Sequence, residues 1–332
     1  MRRSGVTIHD IAENLGVSAS TVSRVLNGSA LVASGQRDRI LDEAKRLGYR
    51  KEPRRRQARR TIVTIALVLP EKSPGPLQFF FDAGELVDSI HAAFGPTRTN
   101  VVVVSVSRWR ATFEQKKMGD VDGCILAFTD PRDGLQEHLS RYDIPVVTLN
   151  RTPERGHFVS CDNRNGMALL VEQVTRIRGC EHGIAYVDYS ASPSVARERR
   201  EGFLSGAREQ GLPDEMTHVF EIDHLAQIND RFFRDLGERN IRSVMCFNDL
   251  VAVFVYQAAL HRSIRIPEDL SITGFDNSPV RQLLDRQIDT VDLGAGNLAQ
   301  AASEWLIARI IRSEDVSLRK ILPARYIPGN TL

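Results

Sequence analysis

Four cysteines among 332 residues, Cys124, Cys161, Cys180 and Cys246, stand too far apart to suggest a disulfide framework, and no C-x-x-C pair offers a zinc site. They read as buried apolar side chains. Long apolar runs are missing too, since none reaches the ~18 residues that a membrane helix needs. The opening MRRSGVTIHD has basic residues with no apolar block behind them, so a cytoplasmic protein with no membrane partner is expected. There is no G-x-x-x-x-G-K-[ST], no G-x-S-x-G and no H-E-x-x-H, which removes the commonest phosphate loop, hydrolase elbow and metalloprotease helix. No cofactor, metal or catalytic residue is implied, and the chain is not expected to be an enzyme. GAGNLA at 294–299 does fit a dinucleotide fingerprint, but too little chain follows it to complete a nucleotide-binding half, and a return of the chain to an earlier lobe explains it better.

With 42% apolar and 26% charged side chains, the sequence suits a globular chain of two or three domains. Its net charge of +2 conceals an asymmetry: the first 60 residues hold 14 Lys/Arg against 6 Asp/Glu, the remainder 30 against 36. The densest stretch, RKEPRRRQARR at 50–60, has seven basic side chains in eleven positions. Next to a compact segment, such a block is the footprint of a polyanion binder, although a solvated tether would look the same.

The preceding residues favour the binder. In TIHDIAENLGVSASTVSRVLN, the apolar positions Ile8, Ile11, Ala12 and Leu15, then Val22, Val25 and Leu26, recur at helical spacing in two short segments. Thr7 with Asp10 makes a capping-box start, Gly16 allows a turn, and Ser18 can cap the second helix. A third helix over about 36–47 would close the small core with Ile40, Leu41, Ala44 and Leu47. This is a helix-turn-helix layout whose second helix keeps Val22 and Val25 inside and turns Ser20, Thr21 and Arg24 outward. Arg24 is the one long donor fork there, matched in geometry to guanine O6 and N7, whereas Ala19 and Ser20 offer a methyl and a hydroxyl. A small helical hairpin that merely packs is the plainer alternative.

From residue 61 onward, apolar runs alternate with amphipathic stretches: TIVTIALVL, a helix near 80–94, VVVVSV, DGCILAF and IPVVTLN. A second series follows VSCDNRNG, with GIAYVDY, a helix near 194–210, SVMCFND, a helix to about 261, and LSITGFD. Continuous apolar strands between helices predict parallel, doubly wound sheets covered on both faces, and two series predict two lobes. Ligands of such sheets bind beyond the carboxyl ends of strands, where this chain places Asn150, Asp162, Asn248, Asp249 and Asp276. Strand-end Asn and Asp also commonly cap the next helix, Arg199 could face solvent within its basic run, and a lone His is usually structural.

VTIHDIAENLGVSASTVSRVLNG, followed by a helix ending in LGY, resembles the DNA-binding domain of the lactose-repressor (LacI/GalR) family of bacterial transcription regulators. VTLNR, CDNRNG, ARERREGF, CFNDLVA and ITGFDN resemble that family's later landmarks in order. The resemblance implies an all-α helix-turn-helix domain at 1–49, a basic hinge at 50–60, and a two-lobed, periplasmic-binding-protein-like α/β domain at 61–332. Lobe 1 would take about 61–161 and 292–324, and lobe 2 about 162–291 and 325–332. The implied function is a sequence-specific repressor, a homodimer or higher oligomer on a pseudo-palindromic double-stranded operator, modulated by a small sugar-like effector in the cleft. By position, Thr7, Ser18, Ala19, Ser20, Thr21, Ser23, Arg24 and Asn27 would meet DNA, with Arg56, Ala58 and Arg59 of the hinge. Asn150, Arg199, His224, Asn248 and Asp276 would meet the effector. Asn150 stands where many members have Asp, and His224 near a frequent aromatic. An enzyme on a doubly wound fold with a DNA-tethering head stays open as the alternative, since fold does not fix function. A transport-type receptor is contradicted by the helix-turn-helix.

In the family the hinge enters the minor groove, where a leucine from each protomer wedges a base step and bends the duplex. Here that position falls on Ala58 or, counted from the displaced Pro53, on Arg60. A methyl cannot unstack bases, whereas Arg54, Arg55, Arg56, Arg59 and Arg60 can neutralise phosphates or enter a narrow groove. Binding should therefore depend steeply on salt and less so as these arginines are replaced. Gel-mobility analysis should show slight bending that increases in Ala58→Leu. A strong kink retained in Ala58→Gly would assign the wedge to another side chain.

Overall fold

The computed structural model describes residues 6–26, 34–49, 62–70, 81–114, 121–130, 134–140, 144–189 and 193–332. The chain divides into two units, Met1–Arg60 and Thr61–Leu332.

The first unit holds α1 (Ile8–Leu15), α2 (Ala19–Leu26) and α3 (Ser34–Arg46). Thr7 Oγ1 accepts the Asp10 N–H at 3.4 Å while Asp10 returns a bond from the Thr7 N–H at 2.6 Å, the reciprocal capping box expected there. Gly16, at φ +61°, ends α1 in the left-handed region that glycine enters at little cost. Ile11, Val22, Val25 and Ile40 close the core, with Leu47 and Tyr49 packed on it. Leu41, expected in that core, is exposed. Helix α3 begins two residues before the expected Gln36, because its polar first turn shows no apolar period to mark it.

The second unit contains two parallel sheets. The first has the order β11-β5-β4-β3-β1-β2, from β1 (Val63–Leu69), β2 (Thr99–Ser105), β3 (Gly123–Ala127), β4 (Val146–Leu149), β5 (His157–Cys161) and β11 (Arg319–Leu322). The second has the order β7-β6-β8-β9, from β6 (Gly183–Tyr189), β7 (Thr217–Ile222), β8 (Ile241–Cys246) and β9 (Ser271–Thr273). A short antiparallel pair, β10 (Thr290–Asp292) with β12 (Arg325–Ile327), is joined to the β9 segment only by isolated parallel bridges, Thr273 with Asp289 and Asp276 with Asp292. Successive residues of β1 point to opposite faces: Ile65 and Leu67 join the large core, Ala66 and Val68 a second cluster with Trp109 and Leu126. Burial on both sides is why these strands read as unbroken apolar runs rather than alternations.

Helices α4 (Ala83–Phe94), α5 (Val106–Glu114), α6 (Leu135–Ser140) and α11 (Ala295–Ile310) accompany the first sheet. Helices α7 (Asn163–Arg178), α8 (Pro193–Glu209), α9 (Asp230–Glu238) and α10 (Asp249–Leu260) accompany the second. Helix α11, which begins within GAGNLA, packs against α4. The glycine of R-x-x-G-F has a packing reason, because a Cβ on Gly202 would lie 2.1 Å from the Arg164 carbonyl oxygen where α8 crosses α7. Cys124, Cys161 and Cys246 are buried as expected, but Cys180, in the turn before β6, is exposed. Among the described residues no helix is long and apolar enough to cross a membrane.

Candidate functional site

Between the two sheets lies a buried ion pair. Arg199, on α8, donates from Nη2 to Asp276 Oδ1 at 2.6 Å, and the two residues are 1% and 7% exposed. The remaining geometry of the guanidinium is also used: Nη1 donates to the Phe247 carbonyl at 2.6 Å, Nε to Asn163 Oδ1 at 3.1 Å, and its face stacks on the Phe275 ring, 3.7 Å from the centroid. Asp276 and Asn277 have φ of +103° and +53°, so the backbone after β9 is held in a sparsely populated form, as often found at ligand sites. Burial pushes the Asp276 carboxyl up to about 6, against the pull of Arg199 and, more distantly, Arg151.

From this pair a hydrogen-bond relay crosses to the first sheet. Asn163, at the start of α7, donates from Nδ2 to Asn150 Oδ1 at 3.1 Å and to Glu198 Oε2 at 3.0 Å, and Thr152 donates to Glu198 Oε1 at 3.2 Å. Asn150, buried at φ +51°, also accepts from Ser160. Beside it, the buried Arg151 guanidinium donates to the carbonyls of Asn150 and Phe128, and burial lowers its pKa to about 10, with repulsion from Arg199 adding to the effect.

A cavity of about 240 Å³ opens against Asp276, lined by Phe81, Asp82, Glu85, Asn277, Gln282 and Asp292 among others. It lies where the chain leaves the carboxyl ends of β1 and β9, as open parallel sheets dictate. Of the five residues expected at the effector, Asp276 lines it. Arg199 and Asn150 lie in the network beneath. Asn248 is buried and caps α10, accepting the Val251 N–H at 3.0 Å. His224 is exposed at the start of the 3-10 turn Leu225–Gln227.

In the first unit, Ser18, Ser20 and Thr7 are exposed and Ser23, Thr21 and Ala19 partly so, with Ala19 packed against the core. The Ser18 hydroxyl accepts the Thr21 N–H at 3.1 Å and lies 2.8 Å from both the Ser20 and Thr21 hydroxyls, which fixes three polar groups at the start of α2. Asn27, Arg56, Ala58 and Arg59 lie outside the described residues, as does the Arg24 side chain.

A family model for bacterial regulatory proteins of the lacI family matches residues 7–52, and one for the periplasmic binding protein-like domain matches 168–332. The chain belongs to the lacI family. A ribose operon repressor of Halalkalibacterium halodurans is 28% identical to it, over 98% of this chain and 96% of its own. The transcriptional regulator GalS of Salmonella typhimurium is 29% identical, over 94% and 92%. The structure of a transcriptional regulator, CelR, in complex with cellobiose matches with a TM-score of 0.67 at 20% identity, over 98% of this chain and 99% of that one. This lacI-family member is a sequence-specific DNA-binding transcriptional regulator with the two-lobed fold that its sequence implied.

Asn163, Glu198 and Arg151 were not among the expected site residues, and Asp249 was marked only as a group at a strand end. Asn163 sits in CDNRNG, but there only the Asp162 cap is legible; its role needs α8 in place. Asp249, the first residue of α10, is fully buried and accepts from Thr290 Oγ1 at 2.5 Å and from the Ser278 N–H at 2.6 Å. Desolvation pushes its carboxyl up to about 8; Asp276 adds to that, while the bonds from Thr290 and Ser278 oppose it. A folded-state value above the ordinary 3.8 means ionisation is harder in the folded protein, so its contribution is fully present below about pH 4 and is lost as pH rises towards 8. Urea unfolding should show stability falling between about pH 4 and pH 8, and Asp249→Asn should flatten that slope. An unchanged slope would locate the titration elsewhere.

Proposed function

We propose that this regulator is a repressor that binds a pseudo-palindromic operator as a homodimer and releases or grips it in response to a small hydroxylated effector held between the lobes. The observation carrying the reading is the pairing of a hydroxyl-rich helix start at Ser18–Thr21 with a cavity between two sheets, in one chain of family order. DNA contacts fall to Thr7, Ser18, Ala19, Ser20, Thr21, Ser23, Arg24 and Asn27, with Arg56, Ala58 and Arg59 in the hinge. On the effector side, Asp276 contacts the ligand directly and Arg199 and Asn150 hold the floor beneath it, while Asn248 and His224 are assigned by family position alone. A sugar-like ligand is supported by acceptor-rich lining, which suits hydroxyl donors, and by the relative named for the ribose operon. The boundaries at 49/50 and 60/61 separate head, hinge and effector domain.

Dimerisation is supported by Leu283 at 80% exposure and Leu260 at 46%, beside the small apolar cluster of Leu250, Val253 and Val280 where α10 meets the 3-10 turn Pro279–Leu283. We read it as a cytoplasmic regulator and not an enzyme, a reading supported by relatives that are named as transcriptional regulators.

Sequencing of genomic fragments retained by the protein gives the operator, on which Arg24 can be tested. Arg24→Ala should cost ~1–3 kcal/mol at that operator and leave random DNA nearly unaffected. Equal loss on both would remove Arg24 from base readout, and fragments sharing no sequence would remove the regulator reading.

A further inference from the structure

The charge of the cavity points to a ligand class. Among the described residues, four carboxylates line it, from Asp82, Glu85, Asp276 and Asp292, and no Lys, Arg or His does. Three are fixed by backbone amides: Asp82 accepts from Gly84 at 2.7 Å, Glu85 from Gly296 at 3.0 Å, and Asp292 from Gly294 at 2.9 Å. The fourth, Asp276, is nine-tenths buried. Its Oδ1 is taken by Arg199, and its Oδ2 has no partner among the described residues although the residue borders the cavity.

Among the described residues, the nearby cations do not answer this surplus. Arg199 is spent on Asp276, Asn163 and Phe247, Arg151 on two carbonyls, and Arg281 on Asn277 Oδ1 and the Pro328 carbonyl. Arg325 approaches Asp292 at 3.5 Å, but Asp82 and Glu85 have no cation within ion-pair distance among the described residues. The amino ends of α4 and α11 offset part of the charge, not two whole carboxylates. An anionic ligand would meet carboxylates here and find the one central guanidinium already neutralised. A ligand with an ammonium group would gain charge-assisted bonds, while its ring could lie against Phe81.

Resting on the reading of this cleft as the effector site, we infer that the ligand is a small polyol carrying a protonated amine, an amino sugar or its close chemical equivalent. The described lining, with four carboxylates and no cation, disfavours sugar acids and sugar phosphates.

The test uses the full chain and matched hexoses at pH 7 in low salt: D-glucosamine and D-galactosamine, their neutral parents, the corresponding 6-phosphates and the aldonic acids, titrated by calorimetry. The tightest ligand should be an amino form, about tenfold or more above its neutral parent. Asp82→Asn combined with Glu85→Gln should shrink that ratio towards one, with the neutral parent changing less than about threefold. A phosphate or acid form binding tightest would overturn the inference, and so would an amino preference untouched by the double variant. A neutral sugar binding tightest would overturn the amine while leaving the effector cleft standing. Binding by none of the four classes would remove the cleft reading, and the inference with it.

Discussion

The second unit is organised around a charge pair that has no right to be cheap. Two ions withdrawn from water at Arg199 and Asp276 cost several kcal/mol each before their attraction is counted, and a buried pair often does no better than apolar side chains of equal size. What makes this pair tolerable is that each of the arginine's three nitrogens donates to a partner. Asn163, the Phe247 carbonyl and Asp276 take its donors, and two phenylalanine rings take its faces. Each of those groups comes from a different element, so the guanidinium ties α7, the end of β8 and the turn after β9 to α8. The pair holds geometry rather than adding net stability.

That geometry reaches both lobes. Asn163 and Glu198 continue the bonding to Asn150 and Thr152 beyond β4, so a ligand that engages Asp276 acts on a group already bonded, through three side chains, to the other sheet. A ligand can shift such a protein only by preferring one arrangement of the lobes over the other. Asp276 is well placed for that, because it borders the cavity and anchors the relay at the same time. The same buried position makes the site acceptor-rich, since the one strong donor beneath it is already spent.

How much of this could be read in the chain follows from which signals are local. The Thr7–Asp10 box, the Gly16 turn, the apolar strands and the caps at Asp162 and Asn248 depend on residues within four positions of each other, and all are where pattern and spacing put them. The order of landmark segments made the fold legible, and Arg199 with Asp276 could be marked as residues of interest. That they would meet each other, 77 positions apart, was not legible. Nor was Asn163, whose partners lie 13, 35 and 36 residues away, nor the acidic lining, which assembles the starts of α4 and α11 with the turn after β9. His224, marked by its nearness to a family landmark, is exposed and begins a turn.

The claim that one ion pair organises the cleft is tested most directly by a double-mutant cycle of unfolding free energies with Arg199→Met and Asp276→Asn. Each single change leaves an uncompensated buried ion and should cost ~3–5 kcal/mol, while the double variant should cost less than the sum by ~2 kcal/mol or more. Additivity to within about 0.5 kcal/mol would mean that the two side chains act independently, and the account would fail at its centre.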